Sequence, residues 1–236
     1  MRSGTTWLTN LLLEHPKVRL GSNERKELHF LTRALGHGWT NELRDRYFRL
    51  FDGRGCPGEF TPAYLRCIWT APIAATVIRP TTPVIVLLRD PILRFESEMR
   101  FAQKKGNIPP IEQSQRLAHW SRTAGSSAQW SGMYASQLEA WAAHIPPQQL
   151  HVIQYERAVE EPQATADRLW EAMGLDSVPL ERVDERSGTS AAGYGWDWSL
   201  VPDLQAALET LYAPEVERLE RRWGIDRELW PHFRQA

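Results

Sequence analysis

Arg2-Ser3-Gly4-Thr5-Thr6 run straight into the apolar, helix-spaced residues Trp7, Leu8, Leu11 and Leu12. Glycine lets backbone approach a ligand closely, and serine and threonine bring capping and hydroxyl donors. A helix beginning there offers N–H groups and a partial positive charge, and Arg2 adds a full charge with a donor fork. The chemistry within reach is the holding of a phosphate or a sulfate. The same residues also read as a plain N-cap, because serine or threonine before an apolar run opens many helices. No Gly-Lys-Ser/Thr follows at Walker A spacing, so ordinary ATP or GTP hydrolysis loses weight.

A second anion-directed pair lies further on. Arg89 closes the run Val84-Ile85-Val86-Leu87-Leu88, and Ser97 lies two turns into the helix that Pro91 starts. Ligands of open α/β sheets bind at the carboxyl ends of strands, where Arg89 sits. An arginine there and a serine on the adjacent helix can grip a second phosphate. Taken singly, Arg89 also reads as half of a structural ion pair and Ser97 as a solvated helix position. Between the two groups, Asn23-Glu24-Arg25-Lys26-Glu27 is a polar cluster before His29-Phe30. Alone it reads as a solvated face.

The elements that must position these residues follow from periodicity. Residues 4–15, 40–51, 128–144, 162–173 and 203–223 read as helices, the last with a possible break at Pro214. Residues 63–78 read as one or two helices broken near Pro72, and residues 53–58, rich in Gly and Pro, as a loop. The β-branched run at 84–88 has the pattern of a strand buried on both faces, and residues 150–155 read as a second strand. Strands alternating with helices predict an α/β fold with a mostly parallel central sheet flanked by helices, in a P-loop-like three-layer arrangement. No repeat, low-complexity tract or linker divides the chain, so residues 1–236 are expected to form one domain.

Composition excludes other classes. With 28 Lys+Arg against 29 Asp+Glu and a formal net charge of −1, a basic nucleic-acid-coating protein is not expected. The apolar run at 84–88 is far too short to span a bilayer, and Leu11-Leu12-Leu13 is bounded by Asn10 and Glu14, so neither a membrane span nor a secretory leader is expected. Two cysteines, Cys56 and Cys67, make no disulfide framework and no metal-type spacing. A reducing, cytoplasmic setting and no metal are the expectation. Eleven tryptophans are mainly core and helix-packing residues.

Taken in order, these segments resemble the sulfotransferases that use 3′-phosphoadenosine 5′-phosphosulfate (PAPS). RSGTTWL resembles their 5′-phosphosulfate loop, and LLRDPILRFESEMRF resembles their 3′-phosphate segment. KELHF (26–30) is similar to the Lys-Glu-x-His-Phe segment of the heparan-sulfate-type branch, and GEFTPAYL (58–65) to its Glu-x-Thr-Pro-x-Tyr stretch. GMYASQLEAW and LHVIQYE extend the likeness to about residue 175. The resemblance implies transfer of a sulfuryl group from PAPS to a hydroxyl or amine of a carbohydrate or other small acceptor, leaving PAP. It implies that Arg2, Ser3, Gly4, Thr5, Thr6 and Trp7 hold the 5′ end of the nucleotide, and Arg89 and Ser97 its 3′-phosphate. Glu27 would be the general base, kept ionised and oriented by Lys26, which can also touch the sulfuryl oxygens. His29 is the rival base, or a residue on the acceptor side.

A P-loop kinase-like phosphotransferase and a non-catalytic nucleotide-binding relative are the other readings. Residues 186–198 are a candidate loop over the nucleotide, in which Trp196 and Trp198 either stack on an acceptor or pack beneath the loop. Members of the family carry a buried strand just before the phosphosulfate loop. Here Met1 precedes Arg2, so that strand is expected to be missing, and the intact motifs favour a start placed downstream of the true one. Acceptor identity and oligomeric state have no signature in the sequence.

Overall fold

Two parallel strand pairs carry the structure. Val18–Leu20 (β1) pairs with Cys56–Gly58 (β2), and Val84–Leu88 (β3) pairs with Leu150–Gln154 (β4). The computed structural model describes residues 3–21, 25–51, 55–108, 126–181 and 196–234. Among those residues each pair is a two-stranded parallel sheet. The helices are α1 (Thr5–Leu13), α2 (Phe30–His37), α3 (Asn41–Phe48), α4 (Ala63–Arg66), α5 (Thr70–Val77), α6 (Pro91–Lys104), α7 (Ser126–Trp130), α8 (Tyr134–Ala142), α9 (Tyr155–Glu160), α10 (Pro162–Ala172) and α11 (Pro202–Trp223).

The β3–β4 pair has a helical layer on each face, which is why β3 is apolar at every position. Successive strand residues point to opposite faces. Leu87 packs with Trp7, Leu8, Leu11 and Leu12 of α1 and with Leu169 and Trp170 of α10. Val86 and Leu88 pack on the other face with Tyr134 and Leu138 of α8 and Val216 and Leu219 of α11. Burying a side chain of this size is worth about 1.5–3 kcal/mol. Trp170 ties the first layer down by donating its indole N–H to the Leu12 carbonyl at 3.3 Å.

Several expectations need correction. Cys56–Gly58 is a strand, not a loop; its Gly/Pro composition hides a short edge pairing with Val18–Leu20. The break in 63–78 falls at residues 67–69, between α4 and α5, where Thr70 Oγ1 donates to the carbonyls of Tyr64 and Cys67 at 2.8 and 2.7 Å. Pro72 instead occupies the first turn of α5, where its missing N–H costs little. The helix expected over 128–144 is interrupted at residues 131–133, where Gly132 lies so close to the Tyr212 ring that a Cβ there would come within 2.6 Å of it. Pro214 does not break α11, which runs unbroken from Pro202 to Trp223. Leu208 and Tyr212 anchor it in one apolar cluster, and Val216 and Leu219 in another.

The carboxyl ends of β3 and β4 are pinned by the chain's last described segment. Asp90, fully buried, caps α6 by accepting from the N–H groups of Ile92 and Leu93 at 2.8 and 3.1 Å. Its other oxygen lies 3.0 Å from His232 Nδ1. Glu156 accepts from the Asp90 N–H at 3.0 Å and from the Trp230 indole at 2.8 Å. Gln154 exchanges hydrogen bonds with the Asp226 backbone at 2.8 and 3.1 Å. Burial alone would lower the His232 pKa, but the Asp90 hydrogen bond and charge, helped by Glu209 and Glu96, raise it above the usual histidine value.

A raised folded-state pKa means that the native protein holds this proton more tightly than the unfolded chain does. The stabilisation is therefore complete below about pH 6.5 and is lost as pH rises through the raised value. Thermal melts across that window should show a fall in stability for the wild type, and a smaller fall for His232→Gln.

Candidate active site

Segments leaving neighbouring strands meet at one end of the molecule. Residues 25–30 follow β1 and residues 59–61 follow β2, both from carboxyl ends. The Phe60 N–H donates to the Lys26 carbonyl at 3.2 Å, holding the two segments side by side. Lys26 Nζ then donates to Thr6 Oγ1 at 2.8 Å, bringing the polar cluster to the opening loop. Burial lowers the Lys26 pKa, and the Glu27 charge beside it opposes that shift.

The loop itself turns on Gly4, the N-cap of α1. Its φ of +86° lies in the left-handed region, and no side chain caps the helix. Neither Ser3 nor a threonine is the cap, so the plain N-cap reading does not describe this helix start. A Cβ on Gly4 would lie 2.2 Å from the Tyr155 ring. The first turn of α1 carries no acidic residue. Ser3 is buried, Thr5 half-buried and Thr6 exposed. Trp7 is buried and meets Tyr155 edge-on at 5.9 Å. Arg2 lies outside the described residues.

Tyr155 also receives Arg89, whose guanidinium carbon lies 5.3 Å from the ring centroid. One ring, at the end of β4, thus joins Gly4 and Trp7 of the loop to the arginine at the end of β3. The Tyr134 hydroxyl is buried against Ser3 and the Arg89 backbone, and burial raises its pKa. Ser97 is half-buried on α6, on the order of 9 Å along the helix axis from Pro91 at 1.5 Å per residue.

Glu27 and His29 form a pair, with Oε2 and Nε2 3.3 Å apart. Both are more than a third exposed. His29 has φ +54°, the only positive φ at a non-glycine among the described residues. Next to this pair lies a cluster to which the sequence reading assigned no role. Glu59 accepts from Tyr47 at 2.7 Å, Thr61 at 2.8 Å and Tyr64 at 2.5 Å. Burial, with the Glu59 charge, raises the pKa values of both tyrosines. Of these residues, Glu59, Thr61 and Tyr64 stand in the GEFTPAYL stretch, and Tyr155 stands in LHVIQYE. The motifs flagged those segments, but contact with the loop and with the 26–31 turn is a tertiary fact.

Trp196 and Trp198 resolve toward packing. Trp196 is buried in the cluster with Ile92, Phe95, Leu204 and Leu208, and Trp198 donates its indole N–H to Glu96 at 3.1 Å. The part of the 186–198 loop before Trp196 lies outside the described residues. Among the described residues, no group of three or more His, Cys, Asp or Glu side chains could hold a metal ion. No described helix is long and apolar enough to cross a membrane. Both cysteines are free.

The geometry defines an α/β protein in which the Gly4 loop, the strand-end Arg89 and the segment carrying Lys26 and Glu27 converge at the carboxyl ends of parallel strands. Residues 61–179 match the model of the sulfotransferase family. The chain is 32% identical over 188 residues to the human (Homo sapiens) heparan sulfate glucosamine 3-O-sulfotransferase 3B1, covering 77% of this chain and 46% of that protein. It therefore spans less than half the length of that curated relative. The crystal structure of a sulfotransferase from Alicyclobacillus acidocaldarius superposes with a TM-score of 0.73 at 21% identity, covering 97% of this chain and 94% of that one. The sulfotransferase domain from the curacin biosynthetic pathway superposes at 0.58 and 17% identity, covering 95% of each chain. At these identities the two solved structures establish a shared fold. The chain belongs to the sulfotransferase family.

Gly4→Ala tests the loop directly. A left-handed alanine costs about 1–2 kcal/mol, and the clash with Tyr155 adds about 1–3 kcal/mol. In a double-mutant cycle read by denaturant unfolding, Gly4→Ala should cost less in a Tyr155→Ala background, with the conformational part remaining.

Proposed function

We propose that the protein transfers a sulfuryl group from PAPS to a hydroxyl or amine of a carbohydrate acceptor. The observation that carries this reading is the Lys26–Thr6 hydrogen bond of 2.8 Å, which sets the Glu27–His29 pair beside the anion-directed loop. Membership of the family supports the donor, and the name of the human relative, which sulfates heparan sulfate glucosamine, supports a carbohydrate acceptor.

The residues present fit such a donor. Gly4 in the left-handed region leaves the start of α1 without a side-chain cap, and the first turn has no carboxylate to repel an anion. The N–H groups there, with Thr5 and Thr6, would hold the 5′-phosphate. Arg2, in the same loop by sequence, would counter the charge that develops on that phosphate. Arg89 and Ser97 would hold the 3′-phosphate. PAPS supplies an activated sulfuryl group, and PAP is left when it has passed to the acceptor.

On the acceptor side, Glu27 takes the proton from the attacking hydroxyl or amine. His29 at 3.3 Å orients that carboxylate and lines the acceptor approach. Lys26, hydrogen-bonded to Thr6 of the loop, would offer its ammonium to the sulfuryl oxygens. In water an exposed carboxylate and hydroxyl rarely meet in a reactive pose. Fixing them in one geometry is the main contribution expected of the protein.

Calorimetry with PAP, using ATP–Mg as the control, tests the donor. Arg89→Ala should weaken PAP binding by about 10- to 100-fold, the loss expected for one charge-assisted contact. Preference for ATP–Mg over PAP would return the reading to a phosphotransferase. Glu27→Gln should bind PAP normally yet lower transfer from PAPS to heparan sulfate by about 100- to 10,000-fold. Near-normal turnover in that variant would remove Glu27 as the base.

A further inference from the structure

Glu59 accepts hydrogen bonds from three hydroxyls, and among the described residues no cation pairs with it. That pattern constrains more than Glu59. A carboxylate only accepts, whereas a hydroxyl has one proton to give and lone pairs with which to accept. Thr61 and Tyr64 must therefore aim their protons at Glu59, which leaves their lone pairs facing elsewhere. Those lone pairs meet the backbone of the turn after Lys26. Thr61 Oγ1 accepts from the N–H groups of Leu28 at 3.0 Å and His29 at 3.4 Å. The Tyr64 hydroxyl accepts from the Leu31 N–H at 3.1 Å.

The held turn is a strained one. A non-glycine residue in the left-handed region costs on the order of 1–2 kcal/mol and persists only where its surroundings over-determine it. His29 is that residue. Its N–H is taken by Thr61, its carbonyl accepts from Thr32 Oγ1 at 2.9 Å, and three residues before it the Lys26 carbonyl accepts from the Phe60 N–H. The conformation that points His29 at Glu27 thus depends on acceptors that Glu59 keeps turned toward the backbone. Tyr47 contributes from α3 by satisfying the second carboxylate oxygen.

We infer that Glu59 is a positioning residue of this site. Acting through Thr61 and Tyr64, it fixes the turn that presents Glu27 and His29 to the acceptor. The inference rests on the reading of residues 26–29 as the reacting face. Glu59 itself touches neither donor nor acceptor, and it enters no proton transfer.

Thr61→Val is the sharpest test, because it keeps the shape of the side chain and removes only the hydroxyl. It strands the Leu28 and His29 N–H groups and takes one donor from Glu59. Thr61→Ser restores the hydroxyl and is the rescue. Turnover is read as PAP release from PAPS, with water alone and with heparan sulfate as acceptor. Thr61→Val should lower kcat by about 10- to 100-fold while the KM for PAPS stays within about twofold. Thr61→Ser should recover to within about threefold of wild type on the same scale. The His29 imidazole resonances, which need no acceptor, should move in Thr61→Val and return in Thr61→Ser. If Thr61→Val does not fold, Tyr64→Phe, which removes one hydroxyl, and Glu59→Gln, whose amide no longer fixes the direction of all three, carry the same test.

A folded Thr61→Val protein with unchanged His29 resonances and near-normal kcat would overturn the inference. So would a loss of kcat matched by an equal rise in KM for PAPS, which marks a general loosening of the fold. Glu27→Gln run alongside separates the two readings. Turnover lost in Glu27→Gln but kept in Thr61→Val leaves the base assigned and the positioning role refuted. Turnover kept in Glu27→Gln but lost in Thr61→Val removes the base and leaves the turn positioned for His29.

Discussion

The contact on which the site depends is the packing of the Tyr155 ring against the backbone of Gly4. A side chain at position 4 would overlap the ring, so the loop can approach the end of β4 only where the residue is glycine. The same ring carries Trp7 on its edge and the Arg89 guanidinium near its face. Each such contact is worth about 0.5–2 kcal/mol, which is modest. Their geometric effect is larger than their energy. They place the start of α1 and the end of β3 in one site although more than eighty residues of chain separate them.

The other half of the site is ordered by neutral hydroxyls around a carboxylate, with few ion pairs. Exposed ion pairs hold long, flexible side chains in place at an entropic cost and are screened by salt. Tyrosine and threonine have few rotatable bonds, so little freedom is lost when they are fixed. The burial that raises the Tyr47 and Tyr64 pKa values also keeps both phenols protonated as donors. Hydroxyls orient the turn, and the charged groups Lys26 and Glu27 stay at its surface side. The pattern differs at the ends of β3 and β4. There the buried Asp90 and the half-buried Glu156 carboxylates are satisfied by backbone N–H groups, an indole and His232.

Much of the fold was legible, and the misses share a cause. β3 could be read because it is apolar at every position, and β4 because Leu150, Val152 and Ile153 give it a short apolar run. β1 and β2 could not: three residues of Cys-Pro-Gly or Val-Arg-Leu carry no periodicity, and only their pairing makes them strands. The break between α4 and α5 was displaced because Thr70, not Pro72, closes it with its hydroxyl. The interruption after Trp130 packs Gly132 against Tyr212, a residue some eighty positions away in the chain. Local propensity has no access to such partners.

For the site, residue types and order were enough to mark the loop, Arg89 and the Lys26-Glu27 segment as candidates for anion and proton chemistry. Glycine beside threonine before an apolar helix, and arginine after a buried strand, have few other uses in combination. The sequence by itself therefore pointed to the family, the α/β architecture and the residues to suspect. Only the tertiary structure decided how those residues are held: Tyr155 beneath Gly4, Thr6 against Lys26, and Glu59 behind the turn that carries Glu27 and His29. The reason is that a side chain's chemistry is local to its residue. Its orientation is set by contacts and hydrogen-bond directions that exist only once distant segments have packed.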